Sequence, residues 1–137
     1  MIIIDMNQIT LASLMMDMNM RKSNEVDESM VRHMILNSIR LYRTQFTKDY
    51  GEVVLTYDSK HYWRREYFPN YKAMRKRSRE KDNKDWDTIF GVLNKIKAEF
   101  KDNLPYKYLE VYGAEADDII ATLCKSNQDE NIMIISG

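Results

Sequence analysis

Short apolar runs alternate with helix-length segments along the whole of this 137-residue chain. Four of these runs are predicted to be buried strands, at residues 2–4, 52–58, 106–111 and 131–136. Helical segments are predicted at residues 8–19, from residue 27 onward, and at residues 85–100 and 115–126. Strands that alternate with helices predict an α/β fold, with a mostly parallel sheet covered by helices on both faces. The length is enough for one compact domain.

The composition indicates the cellular compartment in which this domain is expected. No apolar run approaches the ~20 residues that span a bilayer, so no contact with a membrane is expected. The stretch from Met1 to Asp5 lacks a basic region and is too short for a signal peptide. Cys124 is the only cysteine, so no internal disulfide can form. These observations predict a cytoplasmic protein.

Carboxylates occupy the positions where the predicted strands end. Asp5 and Asp58 each follow a strand directly, and Glu115, Asp117 and Asp118 lie where the loop after the third strand enters a helix. Ligands of an open parallel sheet bind at the carboxyl ends of its strands, so these side chains are expected to converge there. Clustered carboxylates repel one another unless a cation neutralises them. An all-oxygen ligand set without His or Cys favours Mg²⁺, with Mn²⁺ as the alternative.

The spacing within the last acidic run makes a sharper prediction. Glu115 and Asp118 are three residues apart and share one helix face, whereas Asp117 points elsewhere. All three can approach one metal ion only in the first turn of the helix, where the helix dipole also favours negative charge. Each carboxylate alone is equally typical of a helix cap or a turn. Their joint occurrence at strand ends of one sheet is what indicates a metal site.

A strongly basic segment interrupts this pattern. Nine Lys or Arg and two Glu lie between residues 60 and 81, a net charge of +7, and because the whole chain is neutral the remainder carries −7. Lys and Arg neutralise phosphates while aromatic rings stack on unpaired bases, so the mixture is typical of single-stranded nucleic-acid binding. A solvated face or a disordered arm is the alternative. The aromatic residues among these charges are Tyr62, Trp63, Tyr67, Phe68 and Tyr71.

The run from Tyr62 to Arg75 resembles the Arg…Pro-x-Tyr-Lys-x-x-Arg signature of the flap endonuclease/5′-nuclease family. The run Glu115–Asp118 resembles the second acidic motif of that family, and Asp5 and Asp58 fall where its first two metal-binding aspartates lie. The resemblance covers essentially the whole chain and is greatest to phage-encoded members. It implies Mg²⁺-dependent 5′→3′ hydrolysis of RNA or DNA at duplex ends and flaps, as in the removal of RNA primers during phage DNA replication.

The resemblance also implies individual roles. Asp5, Asp58, Glu115, Asp117 and Asp118 become metal-site carboxylates. Lys72 and Arg75 become the catalytic cations at the foot of a helical arch or bridge formed by residues 60–84. The implied nucleic-acid-binding residues are Arg64, Arg65, Tyr71, Lys76, Arg77, Arg79 and Lys81. The implied partners are DNA and RNA–DNA hybrids with branches or flaps, together with a single-stranded-DNA-binding protein or a sliding clamp in the host-cell cytoplasm.

One departure qualifies these implications. The family carries an Asp-x-Asp motif directly after the fourth strand, a further aspartate downstream and a helix-turn-helix region, whereas this sequence stops at Gly137. We therefore expect residues 1–137 to form an incomplete, single N-terminal domain that binds divalent metal weakly and cleaves poorly.

Three other interpretations remain. A PIN-type ribonuclease has a similar size and acidic residues at comparable strand ends, but it usually lacks a long basic and aromatic insertion. A nuclease-derived module could bind nucleic acid without cutting it. A response-regulator receiver carries two acidic residues after its first strand, whereas here Met6 follows Asp5.

Overall fold

The computed structural model describes all 137 residues and contains four strands and six helices. The elements are, in chain order, β1 (Ile2–Asp5), α1 (Met6–Arg21), α2 (Glu28–Tyr50), β2 (Val53–Tyr57), α3 (Trp63–Tyr67), α4 (Ala73–Glu80), α5 (Trp86–Asn103), β3 (Lys107–Glu110), α6 (Ala116–Ser126) and β4 (Met133–Ile135). No helix combines the length with the apolar character that a membrane crossing requires.

The four strands form one sheet in the order β3-β2-β1-β4, and every pairing is parallel. Ile2 lies opposite Val53 on one side and opposite Met133 on the other, so β1 occupies the interior of the sheet. The predicted parallel α/β fold is confirmed. Strands β2, β3 and β4 are each two or three residues shorter than predicted.

Helices cover both faces of the sheet. Ile2, Ile4 and Leu55 pack on the face covered by α1, α2 and α5, where the larger core cluster lies. Ile3 and Val54 point to the opposite face, where they meet α6. A strand that is buried on both faces needs apolar side chains at every position. This explains the unbroken apolar stretches Ile2–Ile4 and Val53–Leu55. The central strands therefore hold the carboxyl ends of the sheet in fixed positions.

Three helices begin at an aspartate that caps them. The side chain of Asp5 accepts hydrogen bonds from the first turn of α1, so this helix begins two residues earlier than predicted. Asp27 caps α2 as predicted, and Asp85 caps α5. A side-chain oxygen at this position satisfies backbone N–H groups that have no partner within the helix. The cap at Asp5 also ties the end of β1 directly to α1.

The basic segment folds into the two short helices α3 and α4, neither of which has a buried residue. The apolar periodicity of the sequence predicts no helix here, because a helix exposed on all sides shows no such periodicity, and only the family resemblance implied a helical arch or bridge. Lys72 precedes α4 in the left-handed region of backbone conformation, at φ 57°. A non-glycine residue adopts this conformation at a cost of about 1 kcal/mol or more, so it marks a position held by its surroundings.

Candidate active site

The strand ends place Asp5 and Asp58 on the same face of the sheet. Asp5 lies opposite Thr56 in the parallel register, and Asp58 follows Thr56 by two residues. Because side chains alternate between the faces of a strand, both carboxylates point to the face that α6 covers. Helix α6 begins beside them at Ala116. Three separate elements of the chain therefore meet at this edge of the sheet.

Hydrogen bonds to the backbone hold these two carboxylates in place. Oδ1 of Asp5 accepts from the backbone N–H of Asn7 at 3.1 Å, and Oδ2 accepts from the hydroxyl of Ser136 at 3.4 Å. Oδ1 of Asp58 accepts from the backbone N–H of Ala116 at 2.7 Å. The backbone N–H of Asp58 in turn donates to Oδ1 of Asn7 at 3.2 Å. The Asn7 side chain thus links the ends of β1 and β2.

Asp5, Asp58 and Asp117 carry negative charge that no cation of the chain offsets. Burial raises the pKa of the Asp5 carboxyl above its ordinary value, and repulsion by Asp58 and Asp117 adds to this effect. None of the three forms an ion pair, whereas the other two carboxylates of the α6 entry do. The folded protein therefore keeps three carboxylates close together at an electrostatic cost.

Glu115 and Asp118 are neutralised instead by the basic segment. Glu115 is only 3% exposed and accepts hydrogen bonds from Nη1 of Arg64 at 2.6 Å, the hydroxyl of Tyr71 at 3.1 Å and Nζ of Lys72. Asp118 accepts hydrogen bonds from Nη2 of Arg64 at 2.6 Å and from Nη1 at 2.9 Å. It also accepts the backbone N–H of Glu115 at 3.0 Å, which completes a capping box at the start of α6.

These contacts decide the ionisation of Glu115 and Asp118. Burial by itself would raise the pKa of Glu115, but Lys72, Tyr71 and Arg64 outweigh it and hold the pKa below its ordinary value. Hydrogen bonds from Arg64 lower the pKa of Asp118 in the same way. For Lys72, burial would lower the pKa, and the bond to Glu115 more than reverses this. Both carboxylates are therefore charged and paired at neutral pH.

The five predicted metal-site carboxylates thus separate into two groups. Glu115 and Asp118 share one face of α6 and Asp117 points away from it, as their spacing predicted. The first group (Asp5, Asp58 and Asp117, with the oxygens of Asn7 and Ser136 nearby) offers only hard oxygen ligands, which suit a divalent cation such as Mg²⁺. As the side chains stand, no three His, Cys, Asp or Glu residues could hold one ion between them. The donor chemistry fits a cation, and the carboxylates would have to turn inward to close around it.

A cavity of about 1040 Å³ opens over the carboxyl ends of the strands and beneath the basic segment. It brings most of the predicted site residues together: Asp5, Asp58, Arg65, Lys72, Arg75, Arg79, Glu115 and Asp117. Six predicted residues do not line it: Arg64, Tyr71, Lys76, Arg77, Lys81 and Asp118. Arg64, Tyr71 and Asp118 lie behind the cavity wall in the network around Glu115.

The same cavity includes residues that the sequence did not indicate. Asn7 and Ser59 line it close to Asp5, Asp58 and Asp117 (the acidic group), and Asn94 and Lys97 line it from α5. The position of Asn7 two residues after the strand-end aspartate was the one available signal. Nothing in the sequence reports that α5 runs along the cavity, because its polar positions follow the pattern of any amphipathic helix.

On the α5 side, Tyr57 lies under a small polar network. Its ring centroid is 4.9 Å from that of Tyr108, and Nζ of Lys97 lies 5.0 Å from the Tyr57 centroid. Lys97 donates to Oε1 of Glu110 at 2.9 Å, and the Tyr108 hydroxyl donates to Oε2 of the same residue at 2.7 Å. Burial, with the charge of Glu110, raises the pKa of Tyr57 well above its ordinary value, so its hydroxyl stays protonated.

Comparison with known proteins is consistent with this arrangement. The family described as 5′-3′ exonuclease, N-terminal resolvase-like domain, matches residues 1–137. Ribonuclease H of Enterobacteria phage T4 is 37% identical over 140 residues, which cover 98% of this chain and 45% of the phage protein. The chain therefore spans about half the length of this relative.

Solved structures share the fold at lower sequence identity. The bacteriophage T5 protein co-crystallised with metal ions superposes with a TM-score of 0.71 at 15% identity, over 98% of this chain and 47% of its own. The T5 5′-exonuclease with bound zinc gives 0.67 at 16% identity, over 99% of this chain and 48% of its own. A variant of the T5 flap endonuclease, in a pseudo-enzyme-product complex with DNA and metal ions, gives 0.67 at 17%, over 98% and 47%.

Proposed function

The chain belongs to the family of 5′-3′ exonuclease N-terminal, resolvase-like domains, and on that premise we propose that it is the catalytic N-terminal part of a divalent-metal-dependent 5′-nuclease. Its substrates are RNA or DNA strands at duplex ends and flaps, including the RNA primers of replicating phage DNA. One observation carries the proposal: a single cavity holds three carboxylates without cation partners and, across from them, Lys72 and Arg75.

We assign Asp5, Asp58 and Asp117 to the divalent cation, which is Mg²⁺ or Mn²⁺. The metal ions in the T5 structures support a divalent cation in this fold. When bound, such an ion activates water and offsets charge on the phosphate. The work of the chain is to hold these carboxylates in position. The backbone donors at Asp5 and Asp58 do this, because each engages Oδ1 and leaves Oδ2 turned toward weaker or no contacts.

Lys72 and Arg75 are assigned to the scissile phosphate. Both line the cavity, and Arg75 forms no ion pair, whereas Lys72 is paired with Glu115. Lys72 is held by Glu115, in a left-handed backbone conformation that directs it from the start of α4. A phosphate entering the cavity would compete with Glu115 for this ammonium group. Fixed cations at the position where charge develops in the transition state are often the largest contribution to catalysis.

Glu115 and Asp118 keep their proposed place in the metal site, but with a condition. Glu115 lines the cavity, so it would reach a cation after releasing Lys72 to the substrate. Asp118 lies outside the cavity and would act through Arg64 and the start of α6. Of the proposed nucleic-acid-binding residues, Arg65 and Arg79 border the cavity, while Lys76, Arg77 and Lys81 would contact the backbone of the nucleic acid farther out.

A module that binds nucleic acid without cutting it is the second candidate. The observation in its favour is that no three acidic side chains are yet close enough to hold one ion. It shares the basic segment with the nuclease, so both candidates predict binding of a 5′-flap. They differ in whether the acidic group matters for any measured property.

The test combines cleavage with binding on matched substrates. A 5′-flap DNA and an RNA primer annealed to DNA are incubated with the chain in Mg²⁺, in Mn²⁺ and in EDTA. The nuclease predicts metal-dependent products that disappear in Asp58→Asn and persist in Asp102→Asn, a change at an exposed aspartate of α5. Binding without products in any metal, unchanged in Asp58→Asn, would establish the second candidate.

A further inference from the structure

The cavity extends past the acidic group to a second region on the α5 side of the sheet. Tyr57 lines this region and is only 4% exposed. Its hydroxyl forms no hydrogen bond with any other group of the protein. The ring is buried, but the hydroxyl oxygen itself is not sealed inside the protein and remains accessible from the cavity. The Tyr57 hydroxyl is therefore a group that a ligand in the cavity can satisfy.

Helix α5 supplies further polar groups to the same region. Asn94 and Lys97 are three residues apart, so they project from the same face of the helix, and both line the cavity. The charge of Lys97 is offset by Glu110 at 2.9 Å. The groups left without a partner beside Tyr57 are the neutral hydroxyl of Tyr57 and the amide of Asn94, and the guanidinium of Arg79 lies over Phe90 of α5 at the border of the same region. Neutral donors and acceptors suit the edge of a base or a sugar better than they suit a phosphate.

The region adjoins the acidic group directly. Tyr57 and Asp58 are consecutive, with α-carbons about 3.8 Å apart, and their side chains leave β2 on opposite faces. The cavity passes over the end of β2 and contains both side chains. A molecule with an anionic end at Lys72 and Arg75 and a neutral polar end at Tyr57 would occupy it along its length. A nucleotide has this distribution of charge.

We propose that Tyr57, Asn94 and Lys97 form a nucleotide subsite, which takes the sugar and base of the nucleotide whose phosphate lies against Lys72 and Arg75. The Tyr57 hydroxyl donates a hydrogen bond to the sugar or base, and the Asn94 amide pairs with the base edge. Lys97 closes the outer side of the subsite together with Glu110. This subsite rests on the proposed nuclease function and names the part of the substrate that the carboxylates do not contact.

Tyr57→Phe is the decisive substitution, because it removes the hydroxyl and keeps the ring against Tyr108. Binding of a fluorescent 5′-flap oligonucleotide is measured by anisotropy in Ca²⁺, used in place of Mg²⁺ to limit cleavage. We expect about three- to tenfold weaker binding, which corresponds to one lost hydrogen bond. The melting temperature should stay equal or rise, because the hydroxyl has no partner within the protein. Tyr106→Phe, outside the cavity, should change neither property.

Each outcome decides a separate question. A larger loss with a ribonucleotide than with a deoxyribonucleotide at the junction assigns the contact to the 2′-hydroxyl, and an equal loss assigns it to the base. Asn94→Ala, at an exposed helix position, should also weaken binding without lowering the melting temperature. Unchanged binding in both variants would refute the subsite while leaving the nuclease intact. Failure of the unaltered chain to bind any flap would refute the proposed function and the subsite with it.

Discussion

Arg64 joins Asp118 through two hydrogen bonds of 2.6 and 2.9 Å, and the same guanidinium donates to the buried Glu115 at 2.6 Å. This one side chain ties α3, the first helix of the basic segment, to the first turn of α6. The basic segment has no buried residues of its own to fix its position. Its placement over the acidic group therefore depends on ion pairs to a large extent.

Replacing Arg64 should loosen the basic segment. Arg64→Ala leaves Glu115 buried with fewer partners, so we expect a lower melting temperature together with weaker binding of a 5′-flap. Arg64→Lys should recover only part of both, because a lysine cannot reproduce the two parallel hydrogen bonds. Thermal denaturation and anisotropy measure the two effects. Arg40→Ala, at an exposed position of α2, is the control, and an equal effect there would contradict this role.

Acid should weaken the same connection. The folded-state pKa values of Glu115 and Asp118 lie below their ordinary values of 4.5 and 3.8. A lowered pKa contributes stability that is fully present above the ordinary value and is lost as pH falls through the folded value. Stability should therefore decline below about pH 4.5, as measured by urea denaturation across pH 3–7. Asp118→Asn should show a shallower decline, and an identical slope would exclude Asp118 as a contributor.

The charge of the Asp5 carboxylate should have the opposite effect on stability. Burial and its acidic neighbours raise its pKa, so its charge costs stability at neutral pH. Asp5→Asn removes the charge and keeps a good helix cap, and we expect equal or higher stability with weaker binding of Mg²⁺. Asp5→Ala removes the cap as well and should cost about 1 kcal/mol. Urea denaturation and calorimetric titration with Mn²⁺ separate the two effects, and unaltered Mn²⁺ affinity in both variants would remove Asp5 from the metal site.

The cations of the basic segment should not be equivalent. Lys72 and Arg75 line the cavity and Lys76 does not. If the chain cleaves a flap, Lys72→Ala and Arg75→Ala should each reduce the single-turnover rate by roughly 10²–10³-fold, whereas Lys76→Ala should change it less than threefold. All three should weaken binding in a salt-dependent way, by about 0.7 in the log–log slope for each lost contact to a single strand. Equal rate losses in all three would indicate a diffuse electrostatic role.

The features that could be predicted are those that depend on residues close together in the sequence. The strand ends at Asp5 and Asp58 follow apolar runs, and the separation of Asp117 from Glu115 and Asp118 follows from helix geometry alone. The bounds of helices α3 and α4 escaped prediction from the residue pattern, since these helices bury nothing and so show no periodicity; only the family resemblance implied a helical arch or bridge there. The partners of Glu115 escaped as well. Arg64 and Lys72 lie more than 40 residues away in sequence, and only the folded chain shows which of the nine basic residues turns inward.

The α5 side of the cavity was unpredictable for a related reason. Tyr57 has the sequence signature of a core residue, and most of its ring surface does serve the core. Only its hydroxyl faces the cavity, and that depends on where α5 crosses β2. Asn94 and Lys97 likewise look like solvated helix positions until the tertiary structure brings the basic segment over them.

The parallel pairing of β1 with β4 has a consequence for how the protein is made. Ile2 pairs with Met133 in the sheet, and these two residues are 131 positions apart in the sequence. A contact between residues so far apart requires the closure of a long loop. The loss of chain entropy on closure precedes the favourable contact, and this slows folding. On the ribosome, the N-terminal strand emerges first and pairs with β2, while its other edge stays open until β4 has been synthesised. During that interval the nascent chain exposes an apolar strand edge, and it is then that a chaperone would have most to protect.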